Sequence, residues 1–395
     1  MRNLYNTSLC GKESVTMMKQ KHLQTLALTA VMTALLFAGC ANTQSSSQSE
    51  IQVQTPAPTQ QPVDTGNANP LTGLPKGEDY PEGQRPVAVM INNIKAALPQ
   101  SGLNDADLLY EVVTEGGITR IMAVYRDYTT MPTVGPVRSA RDQHVQLMLP
   151  IGALYAHIGA STYAQEMLET YKWEDLFEID GIYRNFYWID AERRQTRAQE
   201  HCVFTDGESF SRAVEEFNMS TTGFEPEPVF SFVDYDQPKR TLNGGDAQKV
   251  YVRFSGYASS VFEYHDGKYY KSEFGEPQMD MATNSQLAVD NLLVLFAETD
   301  KYPDGILTHV NYDWGGTGYY FFGGQYEKIR WKKGTPEQPL LILDAEGNET
   351  EVQINPGNTY VAIVGNDQIE NFSINEAKLN ALESNQDEEI EMPDR

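Results

Sequence analysis

The sequence predicts an α/β (or α+β) N-terminal domain followed by a mainly antiparallel β C-terminal domain. Two observations predict this. Residues 76 to 227 alternate short apolar, β-like runs with stretches of helical periodicity, the pattern of strands covered by helices. From about Val229 onward, short alternating runs follow one another with Gly-containing turns between most of them, as in a sandwich or open barrel.

In chain order, Pro86 to Ile91, Leu108 to Val113 and Ile118 to Tyr125 read as strands, the last two separated by a Gly116-Gly117 turn. Ser139 to Leu149 has helical spacing and is stopped by Pro150; Ala153 to Ile158 is the next strand. Ala164, Met167, Leu168 and Tyr171 then mark a second helix. In the β domain, His265-Asp266-Gly267-Lys268 is a strong hairpin signal, and Ser285 to Asn291 is the only helical hint. Gly315-Gly316-Thr317-Gly318 runs into aromatics and not into a helix, so it reads as a tight turn and not as a phosphate loop.

The ends bound the location. Lys19 and Lys21 precede the apolar run Leu23 to Gly39, which ends at Cys40, the grammar of a signal peptide with a lipobox. Starting at Met17 or Met18 gives a leader of ordinary length. The expected organisation is a signal peptide over 1–39, lipidation at Cys40, a flexible tether over 40–72, an Arg-rich α/β domain over 73–227, a β-rich domain over 228–371 and an acidic tail over 372–395. Formal net charge is −25, and removing residues 1–39, with four cations and one anion, makes it −28. Such a surface repels nucleic acid. The expected partners are the membrane, through the lipid on Cys40, and an anionic cell-wall component or envelope protein.

The richest stretch chemically is Gly135-Pro136-Val137-Arg138-Ser139-Ala140-Arg141-Asp142. Ser139 and Asp142 match an S-x-x-D capping box, so Ser139 is the expected N-cap. A helix N-terminus beside guanidinium groups suits phosphate or carboxylate. The opposing reading pairs Arg138 and Arg141 with local acids such as Asp142 or Asp127. Residues 81 to 225 hold ten arginines and two lysines, whereas the chain after 226 holds nine lysines and four arginines. Bidentate anion recognition favours arginine, so the first domain is expected to hold anions, its own or a ligand's. The expected binding residues are Arg120, Arg138, Ser139, Arg141, Ser161, Arg184 and His201. If the domain is catalytic, Asp107, Glu111 or Asp142 would supply a base.

Other motifs have plainer readings. Ser161 lacks the glycine that a nucleophile elbow needs at 163, and reads as a turn or cap. His157 reads as a buried ring satisfied by backbone. His201 and Cys202, adjacent in sequence, would face opposite sides of a strand. The histidines are scattered and no metal-ligand spacing occurs, so neither metal nor cofactor is expected.

Arg85-Pro86-Val87-Ala88-Val89-Met90-Ile91-Asn92-Asn93, Pro99-Gln100-Ser101-Gly102-Leu103, Tyr110-Glu111, Glu115-Gly116-Gly117-Ile118-Thr119-Arg120 and Gly135 to Arg141 together resemble the YerB-like family of bacterial lipoproteins. The resemblance runs from about Asn69 to Val364. It implies a membrane-anchored, mainly Gram-positive protein built of N- and C-terminal parts, and it supplies no catalytic residues. Glu200-His201-Cys202-Val203-Phe204-Thr205 departs from the family's Pro-His-Asn pattern, keeping only the His and the Thr. Three functional readings follow: a surface-anchored binder of an anionic envelope ligand, an envelope enzyme acting on phosphodiester or glycan material, and a structural scaffold.

Overall fold

Runs rich in Val, Ile, Leu and Met, apolar on both faces, form the central strands because both of their faces are covered. β1 (Val87–Asn93), β2 (Leu108–Val113) and β3 (Thr119–Tyr125) are buried along their whole length. Helix α1 (Asp142–Met148), β4 (Leu154–His157), α2 (Thr162–Tyr171) and the short β5 (Asp175–Phe177) follow. A small antiparallel pair, β6 (Trp188–Ile189) with β7 (Val203–Phe204), precedes α3 (Gly207–Phe217). The computed structural model describes residues 65–177, 186–222 and 227–376, all within the unit Gln60–Arg395. The leader, Cys40 and Arg184 lie outside the described residues.

The second region is strand after strand. It begins with β8 (Gly245–Asp246), β9 (Lys249–Arg253), β10 (Ser259–His265), β11 (Lys268–Glu273) and β12 (Glu276–Pro277). Three short strands follow, β13 (Met279–Asp280), β14 (Ser285–Gln286) and β15 (Ala288–Val289). The long β16 (Asn291–Lys301) leads into β17 (Thr308–Asn311), β18 (Gly316–Phe322) and β19 (Gln325–Lys332). The chain then forms β20 (Leu341–Asp344), β21 (Thr359–Gly365) and β22 (Ser373–Ile374). At the β10–β11 hairpin, Asp266 and Gly267 have φ of 51° and 84°, which the Asp-Gly pair accommodates.

The fold is thus a mixed α/β region followed by a mainly antiparallel β region, and one sheet runs through both. Its order is β20-β19-β18-β16-β21-β2-β3-β1-β4-β5. The join is a parallel pairing of β2 with β21, Leu108 opposite Thr359. The expected boundary near 227 therefore divides sequence segments and not hydrophobic cores. The expected self-contained sandwich or barrel is replaced by a second sheet, β12-β11-β10-β9-β22, laid on one face of the first. Val250, Phe262 and Tyr269 pack there with Ile91, Leu109 and Ile121. On the opposite face, Val145 and Met148 of α1 and Ala164 and Leu168 of α2 pack with Met90, Met122 and Tyr155.

Four local expectations are corrected. Ser285 to Asn291 forms β14, β15 and the first residue of β16, not a helix; the Asn104 side chain ties the Gln286 and Ala288 backbone. Leu71, assigned to the tether, is 1% exposed, so the folded body begins before residue 73. Phe372, assigned to the tail, stacks at 4.8 Å on Tyr319, and β22 beyond it pairs with β9. Gly316 and Gly318 begin β18 instead of forming a turn. A Cβ on Gly316 would sit 2.1 Å from the Phe296 carbonyl oxygen, beside the Trp331 indole. Gly316→Ala is expected to destabilise by about 2 kcal/mol or more, read from the urea midpoint; an unchanged midpoint would show that this strand crossing has slack. Among the described residues no helix is long and apolar enough to cross a membrane.

Candidate functional site

β1 and β4 run parallel, Val87 opposite Leu154, and the chain leaving them diverges. From β1 it turns toward β2; from β4 it passes through α2 to β5, on the other side. Open α/β sheets leave a crevice outside the carboxyl ends of their strands at such a switch point. Here the segment 136–140 crosses that end. Asn92 N–H donates to Pro136 O at 2.8 Å, Arg138 N–H to Met90 O at 2.9 Å, and Ile158 N–H to Arg138 O at 3.1 Å. Ala140 N–H donates to Gly159 O at 2.9 Å and Ser161 N–H to Ala140 O at 3.1 Å. These pairings hold Ser139 extended, so α1 begins later than expected. Its N-cap is Arg141, and Ser139 does not cap it.

Arg120 and Arg141 converge on Glu115. Arg120 Nη2 donates to Glu115 Oε1 at 2.7 Å, Arg141 Nε to Oε2 at 2.7 Å and Arg141 Nη2 to Oε1 at 2.5 Å. Arg120 Nη1 also donates to Ser139 O at 2.8 Å and Arg141 Nη1 to Ala140 O at 2.8 Å. All three side chains are buried. Burial alone would raise the Glu115 pKa, but the two guanidinium groups hold it far below the usual carboxylate range. Beside them, burial pushes His144 down to about 3, keeping the ring neutral with Nε2 3.2 Å from Arg120 O. The arginines do pair with an acid, but with Glu115 and not with the expected Asp142 or Asp127. Asp142 instead accepts from Tyr302 Oη at 2.7 Å, and burial raises its pKa. Asp127 accepts from Thr129 and Gln84.

Arg138 faces elsewhere. Its side chain is 23% exposed, and Nη2 lies 3.3 Å from Oε1 of Glu200, which is 43% exposed. His201 follows, its Nδ1 3.0 Å from Asn92 Nδ2 at the end of β1, so Nδ1 accepts and Nε2 carries the proton. Burial lowers the His201 pKa. Ser161 caps α2, accepting from Ala164 N–H at 3.2 Å, and His157 Nδ1 meets Gly159 O at 2.9 Å. Arg138, Ser139, His157, Ser161 and His201 therefore share one end of the sheet.

Two of the three expected catalytic carboxylates, Asp107 and Glu111, do not join them. Asp107 lies before the first residue of β2 and accepts from Asn69 Nδ2 and Arg126 N–H; Glu115 lies beyond the strand's last residue, roughly 20 Å along. Glu111 points to the opposite face, into a buried network that sequence reasoning missed. Asn93 Nδ2 donates to Glu111 Oε1 at 2.8 Å, Thr119 Oγ1 to the same oxygen at 2.7 Å, and Tyr360 Oη to Oε2 at 2.5 Å. Lys271 Nζ reaches Glu273 Oε2 at 2.7 Å, Gln278 Oε1 at 2.6 Å and Glu111 Oε2 at 3.6 Å. No cluster of three or more His, Cys, Asp or Glu suited to a metal ion occurs among the described residues.

A family described as "Protein of unknown function (DUF3048) N-terminal domain" matches residues 71–220, and its C-terminal domain matches 250–361. The chain belongs to this YerB-like family. It is 29% identical over 272 residues to the Bacillus subtilis (strain 168) protein named "Putative lipoprotein YerB", covering 67% of this chain and 77% of that one. The crystal structure of YerB protein from Bacillus subtilis matches with a TM-score of 0.66 at 26% identity, over 78% of this chain and 99% of that chain. The motifs carrying the YerB-like resemblance have a structural meaning here. Asn93, Glu111 and Thr119 build the network between the sheets, while Glu115, Arg120 and Arg141 build the cluster on the helix side. Thr119 and Arg120, adjacent in β3, point into one each.

Proposed function

We propose that this YerB-like chain is a lipoprotein anchored through Cys40 on the extracytoplasmic face of the membrane, where it binds an anionic cell-envelope ligand or partner. The proposed site is the crevice at the carboxyl ends of β1 and β4, and Arg138 is its contact. The observation that carries this reading is the part-exposed Arg138 guanidinium at the switch point, tied at 3.3 Å to a half-exposed Glu200. Arg120 and Arg141 support the backbone beneath it and would not touch the ligand. The enzyme reading loses its geometric support, because Asp107 and Glu111 lie at another end and another face of the sheet, and Asp142 is engaged by Tyr302.

Thermal-shift titration with pyrophosphate and glycerol phosphate tests the site. Wild type is expected to be stabilised and Arg138→Ala not; equal shifts would remove Arg138 from the site. The anchor is tested by fractionation. Cys40→Ser is expected to move the protein from the membrane to the soluble fraction, and a membrane-bound variant would contradict lipid anchoring at Cys40.

A further inference from the structure

Away from that crevice, a cavity of about 730 Å³ lies where the start of the folded body, the segment between the two family regions and β20 meet. Its volume is within the roughly 300–1,000 Å³ typical of ligand pockets. The walls are mostly apolar, with Val229, Phe230, Phe232, Leu340 and Ile342 among them. They are also fixed. Gly73, at φ +66°, lets the Phe232 ring lie against it, since a Cβ there would be 2.5 Å from Phe232 Cγ. Asn69 holds the turn that carries Gly73, its Oδ1 accepting from Leu71 N–H and its Nδ2 donating to Asp107. On the other side, Gln353 Nε2 donates to Phe232 O at 3.2 Å and Ile354 N–H to Ser231 O at 2.7 Å.

The charged side chains that line it have one sign. Glu227, Asp234 and Glu351 line the cavity, and among the described residues no lysine, arginine or histidine does. An apolar, preformed cleft with only carboxylates on its charged positions disfavours fatty acids and phospholipid headgroups by like-charge repulsion and favours an apolar group carrying cations. Glu227 and Asp234 come from the segment between the two family regions and Glu351 from the chain after β20, so the negative charge is distributed over the lining, which suits cations spaced along a polypeptide. We infer that this cavity is a docking site for a segment of a partner protein that places aromatic or branched aliphatic side chains in the cleft, interleaved with lysine or arginine.

Fluorescence anisotropy on the full folded chain tests this with three labelled peptides: tryptophan-lysine-leucine-lysine, tryptophan-glutamate-leucine-glutamate and serine-lysine-serine-lysine. The first is expected to bind with a dissociation constant below roughly 1 mM, and the other two roughly tenfold or more weaker. Ser231→Trp, which fills the cleft, is expected to abolish binding. Asp234→Lys with Glu351→Lys, at the surface, is expected to reverse the preference between the basic and acidic peptides, so the test survives a folding defect in Ser231→Trp. Absence of binding by the basic apolar peptide, equal binding of the acidic one, or an unchanged preference in the charge-reversed protein would overturn the inference.

Discussion

Glu115→Ala is expected to lower the unfolding free energy by about 3–5 kcal/mol, the cost of leaving buried charge uncompensated. Arg120 is 1% exposed and Arg141 9%; Arg120 through its two Nη atoms, and Arg141 through Nε and both Nη atoms, donate to Glu115 and to the 139–140 carbonyls. Without Glu115 two cations face each other inside the fold, and the neighbouring carboxylate, Asp142, is already engaged by Tyr302. Urea unfolding measures the loss, and a loss below about 1 kcal/mol would mean that the cluster does not hold this end of the sheet. Glu115→Ala combined with Arg120→Met and Arg141→Met is expected to recover much of the stability, because an apolar replacement of a whole buried ion cluster is often neutral. The pH dependence has a definite sign. The folded Glu115 pKa is depressed, so its contribution is present above the unfolded carboxylate value, about 4.5, and is lost as pH falls below it.

The opposite sign is expected at Glu273. Burial, with Glu111 nearby, raises its pKa to about 7 despite Lys271. A carboxyl group that binds its proton more tightly folded than unfolded stabilises the fold at low pH. That contribution is lost as pH rises from about 4.5 to about 7. Between pH 5 and pH 8 the stability of wild type relative to Glu273→Gln is therefore expected to fall, by on the order of 2–3 kcal/mol. His144 works the other way, since its neutral folded form is lost only in acid, so the comparison has to be made between these two proteins and not read from wild type alone. A difference constant across this range would mean that Glu273 carries the same charge throughout.

The strands of the first region were legible because their apolar runs are long and uninterrupted, and α2 because its apolar stripe keeps helical spacing. The start of α1 was not. S-x-x-D is a local signal, but residues 136–140 are claimed by hydrogen bonds to β1 and to the 158–160 segment, and those long-range pairings override the cap. Glu115 stands in one of the family motifs, but nothing local marks it as an arginine partner, because Arg141 is 26 residues away in sequence. Its own 3-10 turn, with Gly116 at φ +63°, helps aim it at the arginines. Lys271 and Glu273 escaped notice for a related reason. In Lys268 to Glu273 the inward positions are Tyr269, Lys271 and Glu273, so the charged residues sit on the face a polarity pattern assigns to solvent. Only the facing Glu111, Asn93 and Gln278 make that register affordable.

Within Gly135 to Asp142 two roles separate: Arg141 ties the fold together through Glu115, and Arg138 is the proposed contact for an anion. Crystals soaked in tungstate, a heavy phosphate analogue, test this separation directly through the anomalous signal of tungsten. A peak is expected within hydrogen-bonding reach of the Arg138 guanidinium, at the carboxyl ends of β1 and β4, and is expected to be absent in Arg138→Ala. A peak on Arg120 and Arg141 with Glu115 displaced, or no peak at this end of the sheet, would contradict it.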